Sequence, residues 1–216
     1  MKRWAIRRNL TAGLWRVFGW RFVGQPTESR AGILIGAPHT SNWDYVAMLA
    51  ICWRSGIAPK FLGKKELFSG PMGVLARLSG GIPVDRDNPH ALVSELVELV
   101  RHGDEFFLVI APEGTRAKKD YWKSGFYRLA EDTGLPVTLG FIDRATKTAG
   151  WGPTLHVTGD VAADMQVLRD FYRDKGGVHP ANRTEPRFRV ERPTRAALAR
   201  EKAAGDVPPT GPGPVV

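Results

Sequence analysis

Short apolar runs alternate with amphipathic stretches through the middle of the chain. Runs typical of buried β-strands occur at residues 32–36, 61–62, 82–84, 106–110, 136–140 and 155–157. Apolar residues at helical spacing predict helices over residues 42–55, 70–78, 89–102, 124–133 and 161–174. Because strands and helices alternate, the pattern predicts a single α/β domain with a largely parallel central sheet flanked by helices.

The N-terminal segment, residues 1–22, has a different pattern. It contains six Lys or Arg residues and no acidic residue. At helical spacing one stripe of this segment is apolar, made of Ile6, Leu10, Leu14, Val17 and Phe18. A basic amphipathic helix with aromatic residues is typical of a segment that lies in a membrane interface. The alternative is a terminal helix that packs on its own domain and leaves its basic side in solvent.

The remaining organisation follows from composition along the chain. Residues 23–190 carry the predicted domain, and residues 191–216 form a C-terminal extension. Its final stretch is rich in Pro and Gly, so we expect disorder toward the end. No apolar run reaches the roughly 18–20 residues that a membrane-spanning helix needs. The sequence therefore predicts no transmembrane anchor.

Charge and cysteine content narrow the function classes. The chain has 31 Lys and Arg against 22 Asp and Glu, a net charge of +9, and a pI near 10.0. This excess predicts an anionic partner, which is nucleic acid, an anionic membrane surface or a phosphorylated substrate. The single cysteine excludes an intramolecular disulfide and a cysteine-based zinc site. The histidine spacing offers no metal site.

The loop after the predicted strand 32–36 contains the first candidate site. Ligands of α/β sheets bind beyond the carboxyl ends of strands, where this loop lies. His39 is a general base suited to neutral pH, and Asp44 can orient its ring and stabilise the imidazolium. Ser41 with Asp44 three residues later also fits a helix capping box. Spacing alone leaves both the catalytic and the capping interpretation open.

A second candidate site follows the strand at 106–110. Gly114 allows close backbone approach to a ligand, Thr115 offers a hydroxyl, and Arg116 offers a planar fork for phosphate. Glu113 can hold that fork or accept a substrate hydroxyl. The alternative is an ordinary strand-to-helix turn with a surface ion pair.

Two further cations follow short predicted strands. Lys64 comes after the strand at 61–62, and Arg86 comes after the strand at 82–84. If these strands end at the same edge of the sheet, Lys64, Arg86 and Arg116 converge on one anion beside His39.

Four ordered blocks between residues 33 and 142 resemble the glycerolipid acyltransferase family typified by 1-acyl-sn-glycerol-3-phosphate acyltransferase. The first is H-x4-D, matched by His39 and Asp44. The second is a glycine and apolar run that ends in Arg, matched by residues 81–86. The third is E-G-T-R after Pro, matched by residues 112–116. The fourth is Pro inside an apolar run, matched by residues 135–139.

The resemblance implies a glycerol-3-phosphate acyltransferase-like fold and an O-acyltransferase of phospholipid biosynthesis. It implies transfer of a fatty acyl group from acyl-CoA or acyl carrier protein to a hydroxyl of a lysophospholipid such as 1-acylglycerol-3-phosphate. His39 is then the general base and Asp44 its partner. The remaining implied roles are phosphate binding by Lys64, Arg86 and Arg116, and placement of the glycerol end by Glu113, Gly114 and Thr115.

The resemblance implies no cofactor beyond the acyl donor. It implies a peripheral, monotopic protein at the cytoplasmic face of an anionic membrane, with residues 1–22 as the anchor. Two alternatives stay open at this point, an O-acyltransferase for another lysolipid or glycolipid acceptor, and a non-catalytic basic lipid-binding protein. No nucleic-acid-binding motif occurs, so we expect no nucleic-acid partner.

Overall fold

The computed structural model describes residues 13, 15–25, 27–84 and 105–192, apart from the side chains at positions 64, 65, 67, 72 and 84. The strands are β1 (Arg21–Val23), β2 (Ala31–Gly36), β3 (Pro59–Lys64), β4 (Gly81–Val84), β5 (Phe106–Ile110), β6 (Val137–Asp143) and β7 (Thr148–Leu155). The helices are α1 (Asn42–Arg54), α2 (Gly70–Leu78), α3 (Gly125–Thr133) and α4 (Val161–Tyr172), with 3-10 turns at Lys65–Phe68 and Pro180–Asn182.

The strands form one sheet in the order β1-β7-β6-β2-β5-β3-β4. Every neighbouring pair is parallel except β6 and β7, which are antiparallel. The sheet is therefore largely parallel, as the sequence predicts. Because β2, β3, β4, β5 and β6 run in the same direction, their carboxyl ends lie along one edge of the sheet.

Each face of the sheet carries its own apolar cluster, because successive residues of a strand point to opposite faces. On β2, Ile33 and Ile35 pack on one face and Leu34 packs on the other. The first face is covered by α3 and α4, and the second by α1 through Met48, Ile51 and Cys52. The domain is thus a sheet between two helical layers, the architecture that buries both faces of parallel strands.

Most predicted elements occur where the sequence places them. The predicted helix 70–78 and the predicted strand 106–110 have the same bounds as α2 and β5. The prediction of a strand at 155–157 is wrong, because β7 ends at Leu155 after beginning at Thr148. The strand contains Gly150, a residue type that weakens the sequence pattern of a strand. The structure requires glycine there, because a Cβ would lie 1.9 Å from the carbonyl oxygen of Val23 on β1. Only glycine fits the close approach of the two strands.

The prediction of a helix over residues 1–22 is wrong at its C-terminal end. Residues 21–23 form β1 in the sheet, so the predicted helix does not reach residue 22. Trp15 and Trp20 pack edge to face, 5.6 Å between ring centroids, and both lie against the apolar cluster of α1. Val17 and Phe18 are 80% and 64% exposed. Residues 1–12, the predicted helix 89–102 and the tail 193–216 lie outside the described residues.

Within the described part of the chain, no helix combines the length and the apolar character that crossing a membrane requires.

Candidate active site

The loops that follow β2 and β5 meet at the carboxyl edge of the sheet. These two strands are neighbours, with Ile35 opposite Ile110 in the register. The loop after β2 carries His39, and the loop after β5 carries Glu113 and Arg116. The parallel pairing therefore brings the first and third sequence blocks together, although 74 positions separate His39 from Glu113.

His39 and Asp44 face each other at the N-terminus of α1. The distance from His39 Nδ1 to Asp44 Oδ2 is 3.6 Å, within ion-pair range and longer than a hydrogen bond. The His39 side chain is 24% exposed and the Asp44 side chain is 6% exposed. With Nδ1 directed at the carboxylate, Nε2 is the ring nitrogen left for chemistry.

Asp44 also caps α1. Its Oδ2 accepts hydrogen bonds from the backbone N–H groups of Thr40 and Ser41, the latter at 2.7 Å. The Ser41 hydroxyl in turn accepts the N–H of Trp43 at 3.2 Å, which completes the capping box. The capping interpretation is confirmed, and the same carboxylate faces the histidine. The two interpretations are therefore compatible, since one oxygen serves both.

Glu113 lies beneath the histidine loop. Its Oε1 accepts the backbone N–H of His39 at 3.0 Å, and the residue is only 3% exposed. Its Oε2 is buried and has no hydrogen-bond partner among the described residues. Burial raises the pKa of Glu113 to about 7, against the lowering effect of the His39 N–H bond. Glu113 thus supports the loop from below instead of facing solvent.

Arg116 links the two loops at the surface. Its guanidinium donates a hydrogen bond to the side-chain oxygen of Asn42, the first residue of α1. Arg116 is exposed, so the rest of its guanidinium can receive an anion. The Thr115 hydroxyl accepts the N–H of Ala117 at 3.4 Å. Above Gly114 lies the Lys123 side chain, 2.7 Å from where a Cβ would stand.

The remaining predicted cations are only partly described. Position 64 ends β3 at the same carboxyl edge of the sheet, but the Lys64 side chain lies outside the described residues. Arg86 lies entirely outside them. Within the described residues, no group of three or more His, Cys, Asp or Glu side chains is arranged to hold a metal ion.

An apolar pocket of about 210 Å³ opens beside His39 and Asp44. It lies between α1 and the sheet, on the face that carries Leu34. Its lining is formed by residues 36–39 together with Asp44, Tyr45, Met48, Leu49, Ile51, Phe61, Leu62, Val109, Ala111, Phe141 and Ile142. A mostly apolar cleft with a few convergent polar groups is the usual form of a small-molecule site.

Sequence reasoning missed the pocket and Asn42. The apolar lining reads as ordinary core in the sequence, because residues from β3, β5 and β6 meet only in the folded sheet. Asn42 lies between His39 and Asp44, so its place in the H-x4-D block could have marked it as a candidate site residue. Nothing in the sequence indicates that it binds Arg116.

The raised pKa of Glu113 predicts a pH-dependent stability. Its pKa is about 7 in the folded chain and 4.5 in an unperturbed glutamate, so the folded state holds the extra proton between those values. The free energy of unfolding therefore falls by about 1.4 kcal/mol per pH unit as pH rises from 4.5 to 7. Glu113→Gln removes this slope, so above pH 7 the variant gains stability relative to wild type. Urea denaturation at several pH values measures the difference.

The control for this prediction is Glu185→Gln, which changes an exposed glutamate. We expect its stability difference from wild type to stay flat with pH. A flat difference for Glu113→Gln as well would show that Glu113 does not keep its proton in the folded chain.

The chain is similar to known acyltransferases. A family model described as Acyltransferase matches residues 21–138. A 1-acyl-sn-glycerol-3-phosphate acyltransferase of Streptococcus pneumoniae (strain ATCC BAA-255 / R6) is 28% identical over 177 residues, covering 76% of this chain and 61% of the relative. A protein of the same name from Limnanthes douglasii is 34% identical over 93 residues, 40% of this chain and 33% of that one.

Among solved structures, the 1-acyl-sn-glycerophosphate (LPA) acyltransferase PlsC from Thermotoga maritima is similar with a TM-score of 0.49 and 19% identity, covering 70% of this chain and 68% of that chain. The chain spans 61% and 33% of the length of the two curated relatives named above. The family match covers 118 of the 216 residues, from β1 into β6, and includes both loops of the candidate site. The chain therefore belongs to the acyltransferase family.

Proposed function

We propose that the protein is an O-acyltransferase that moves a fatty acyl group from a thioester to a hydroxyl of a lysophospholipid such as 1-acylglycerol-3-phosphate. The observation that carries this proposal is the apolar pocket between α1 and the sheet, with His39 and Asp44 in its lining. A pocket with this lining suits a hydrocarbon chain. The His39–Asp44 pair suits removal of a proton from the acceptor hydroxyl that attacks the acyl carbonyl. Membership of the acyltransferase family supports the same reaction class.

In this mechanism Nε2 of His39 accepts the proton of the acceptor hydroxyl. The oxygen attacks the thioester carbonyl, a C–O bond forms, and the C–S bond breaks as the intermediate collapses. The leaving thiolate takes the proton that His39 holds. Asp44, 3.6 Å from Nδ1, stabilises the imidazolium that exists between the two proton transfers. No acyl-enzyme intermediate is required.

The acceptor phosphate binds at Arg116 in this proposal. The guanidinium is hydrogen-bonded to the side chain of Asn42, three residues after His39. Lys64 and Arg86 remain predicted as further phosphate ligands. Glu113 supports the His39 loop from below, and Gly114 and Thr115 form the turn that sets Arg116. Both acyl-CoA and acyl carrier protein are candidate donors, and the mechanism needs no other cofactor.

The lysophospholipid acceptor places the protein at an anionic membrane surface in this proposal, as a peripheral protein of the cytoplasmic face. The net charge of +9 supports attraction to anionic lipid. Val17 and Phe18, exposed on the segment before β1, supply apolar side chains for the interface.

Loss of the base should abolish turnover. With purified protein, a radiolabelled acyl thioester and 1-acylglycerol-3-phosphate, His39→Ala should lower kcat by about 10²–10⁴-fold, because a positioned base is removed. His156→Ala, an exposed histidine after β7, is the matched control and should retain activity. Ser41→Ala removes only the cap bond to Trp43, so it should cost about 1 kcal/mol of stability and leave turnover intact.

Two results would contradict this assignment. Wild-type turnover by His39→Ala would exclude the histidine as base. If the wild type transferred acyl groups to a glycolipid or another lysolipid and not to 1-acylglycerol-3-phosphate, the proposed acceptor would be wrong.

The pocket lining should set the preferred acyl chain. Val109 on β5 lines the pocket, and its neighbour Ile110 packs on the opposite face of the sheet. Val109→Phe should shift preference toward shorter acyl chains, with each excluded methylene costing about 10-fold or more in kcat/KM. Ile110→Phe is the matched control and should leave chain preference unchanged. Competition between thioesters of different length measures the ratio, and an equal shift in both variants would exclude the pocket as the chain site.

Arg116 should act on the acceptor alone. Arg116→Ala should raise the acceptor KM by about 10–100-fold, the effect of losing charge-assisted hydrogen bonds, and leave the donor KM unchanged. Arg116→Lys should recover only part, since the fork is lost. Arg128→Ala, an exposed arginine of α3, is the control. Equal weakening with a dephosphorylated acceptor would show that Arg116 does not bind the phosphate.

A further inference from the structure

The segment that follows α4 packs against the His39 loop from the other side of the site. This segment, residues 176–182, is first fixed to the end of β6. Gly176 donates its N–H to Asp143 Oδ1 at 3.1 Å, and Gly177 accepts the N–H of Arg144 at 3.1 Å. Asp143 and Gly177 also form an isolated parallel bridge. The sheet therefore holds the 176–182 segment at the carboxyl edge, next to the loop after β2.

Thr40, the residue after His39, is where the 176–182 segment meets the loop. Its side-chain oxygen accepts the N–H of Val178 at 3.1 Å and of His179 at 3.0 Å. The same hydroxyl donates a long bond of 3.4 Å to Asp44 Oδ2. A threonine hydroxyl has one donor and two acceptor positions, so this one is fully used. Thr40 is only 2% exposed, so these bonds are buried.

The backbone of Thr40 is held as well. Its N–H donates to Asp44 Oδ2, and its carbonyl oxygen accepts a weak bond of 3.5 Å from the Asn182 side chain. One residue thus joins the 176–182 segment to the carboxylate that faces His39.

Gly177 makes this close approach possible. Its φ is +70°, a conformation that side chains disfavour. A Cβ at this position would lie 2.8 Å from the Thr40 side-chain oxygen and 3.3 Å from Pro38 Cβ. Any larger residue would push the 176–182 segment away from the His39 loop.

We propose that Thr40 is a positioning residue for acyl transfer. Through Thr40, the 176–182 segment fixes the position of Asp44 relative to His39. The expected effect on kcat rests on the proposed function. The hydrogen bonds that join the 176–182 segment to Thr40 and Asp44 do not depend on it. The path runs from Asp143 at the end of β6 through Gly176 and Gly177 to Thr40, and from Thr40 to the carboxylate beside His39. Thr40 and Val178 are 138 positions apart in the sequence. The family match ends at residue 138, so it does not include the 176–182 segment.

The kinetic test compares Thr40→Val with Thr40→Ser. Valine keeps the shape and removes the hydroxyl, so kcat should fall by about 10–100-fold, the effect of a small misplacement of catalytic groups, while the acceptor KM stays unchanged. Serine keeps the hydroxyl and should restore most of kcat. Gly177→Ala, which displaces the segment and keeps the hydroxyl, should reproduce the loss if Thr40→Val does not fold.

The matched control is Thr138→Val, a fully buried threonine of β6 whose hydroxyl bonds Thr154 at 2.8 Å. It should lower the denaturation midpoint and leave kcat unchanged. Wild-type kcat in folded Thr40→Val would overturn the proposal. An equal loss of kcat in Thr138→Val would also overturn it, because the effect would then be one of stability.

Amide hydrogen exchange tests the geometry without substrate. In Thr40→Val, the backbone amides at positions 40 and 41, which donate to Asp44 in the wild type, should exchange faster, together with those of Val178 and His179. Unchanged protection at positions 40 and 41 would overturn the positioning role, whatever the activity. If the wild type transfers no acyl group while these amides lose protection in the variant, the proposed function fails, but the structural link from the 176–182 segment through Thr40 to Asp44 is confirmed.

Discussion

The buried carboxylate of Asp44 is the interaction on which the candidate site depends. A charge removed from water is costly unless hydrogen-bond donors surround it. Oδ2 of Asp44 accepts two backbone N–H groups at the start of α1, where the helix dipole also favours a negative charge, while Oδ1 is buried with no hydrogen-bond partner among the described residues. The bonds to Oδ2 also shape the loop that carries His39, whose Nδ1 lies 3.6 Å from the same oxygen. Helix capping and histidine orientation are therefore one structural solution.

The parallel sheet supplies the second constraint. Parallel strands end at a common edge, where the loops that follow β2 and β5 meet and the segment after α4 joins them. Glu113 below and Thr40 beside the histidine use this contact to fix the loop from two directions. Burial of Glu113 lowers the free energy of unfolding at neutral pH, because it raises the pKa of this carboxyl group. Perturbed pKa values of this kind cluster at functional sites. The pocket beneath α1 completes the site, with apolar walls ending at the polar pair.

Secondary structure was predicted well where one element carried its own signal. The run Phe106–Ile110 and the helix Gly70–Leu78 needed no partner to be recognised. Prediction failed where a partner strand decided the conformation. β1 is a three-residue edge strand that exists through pairing with β7, and β7 contains Gly150, Gly152 and Pro153, which weaken any strand signal. Both strands depend on tertiary contacts that local pattern does not contain.

The fold class, the order of the blocks and the residue types of the candidate site follow from the sequence alone, because periodicity and motif spacing are local properties. His39, Asp44, Glu113 and Arg116 are the candidates that these patterns predict among the described residues. Tertiary structure alone decided that Glu113 lies beneath His39, that Arg116 binds Asn42, and that Thr40 joins the segment after α4. These contacts join residues 74 to 139 positions apart, and strand order, which no local pattern encodes, brings them together.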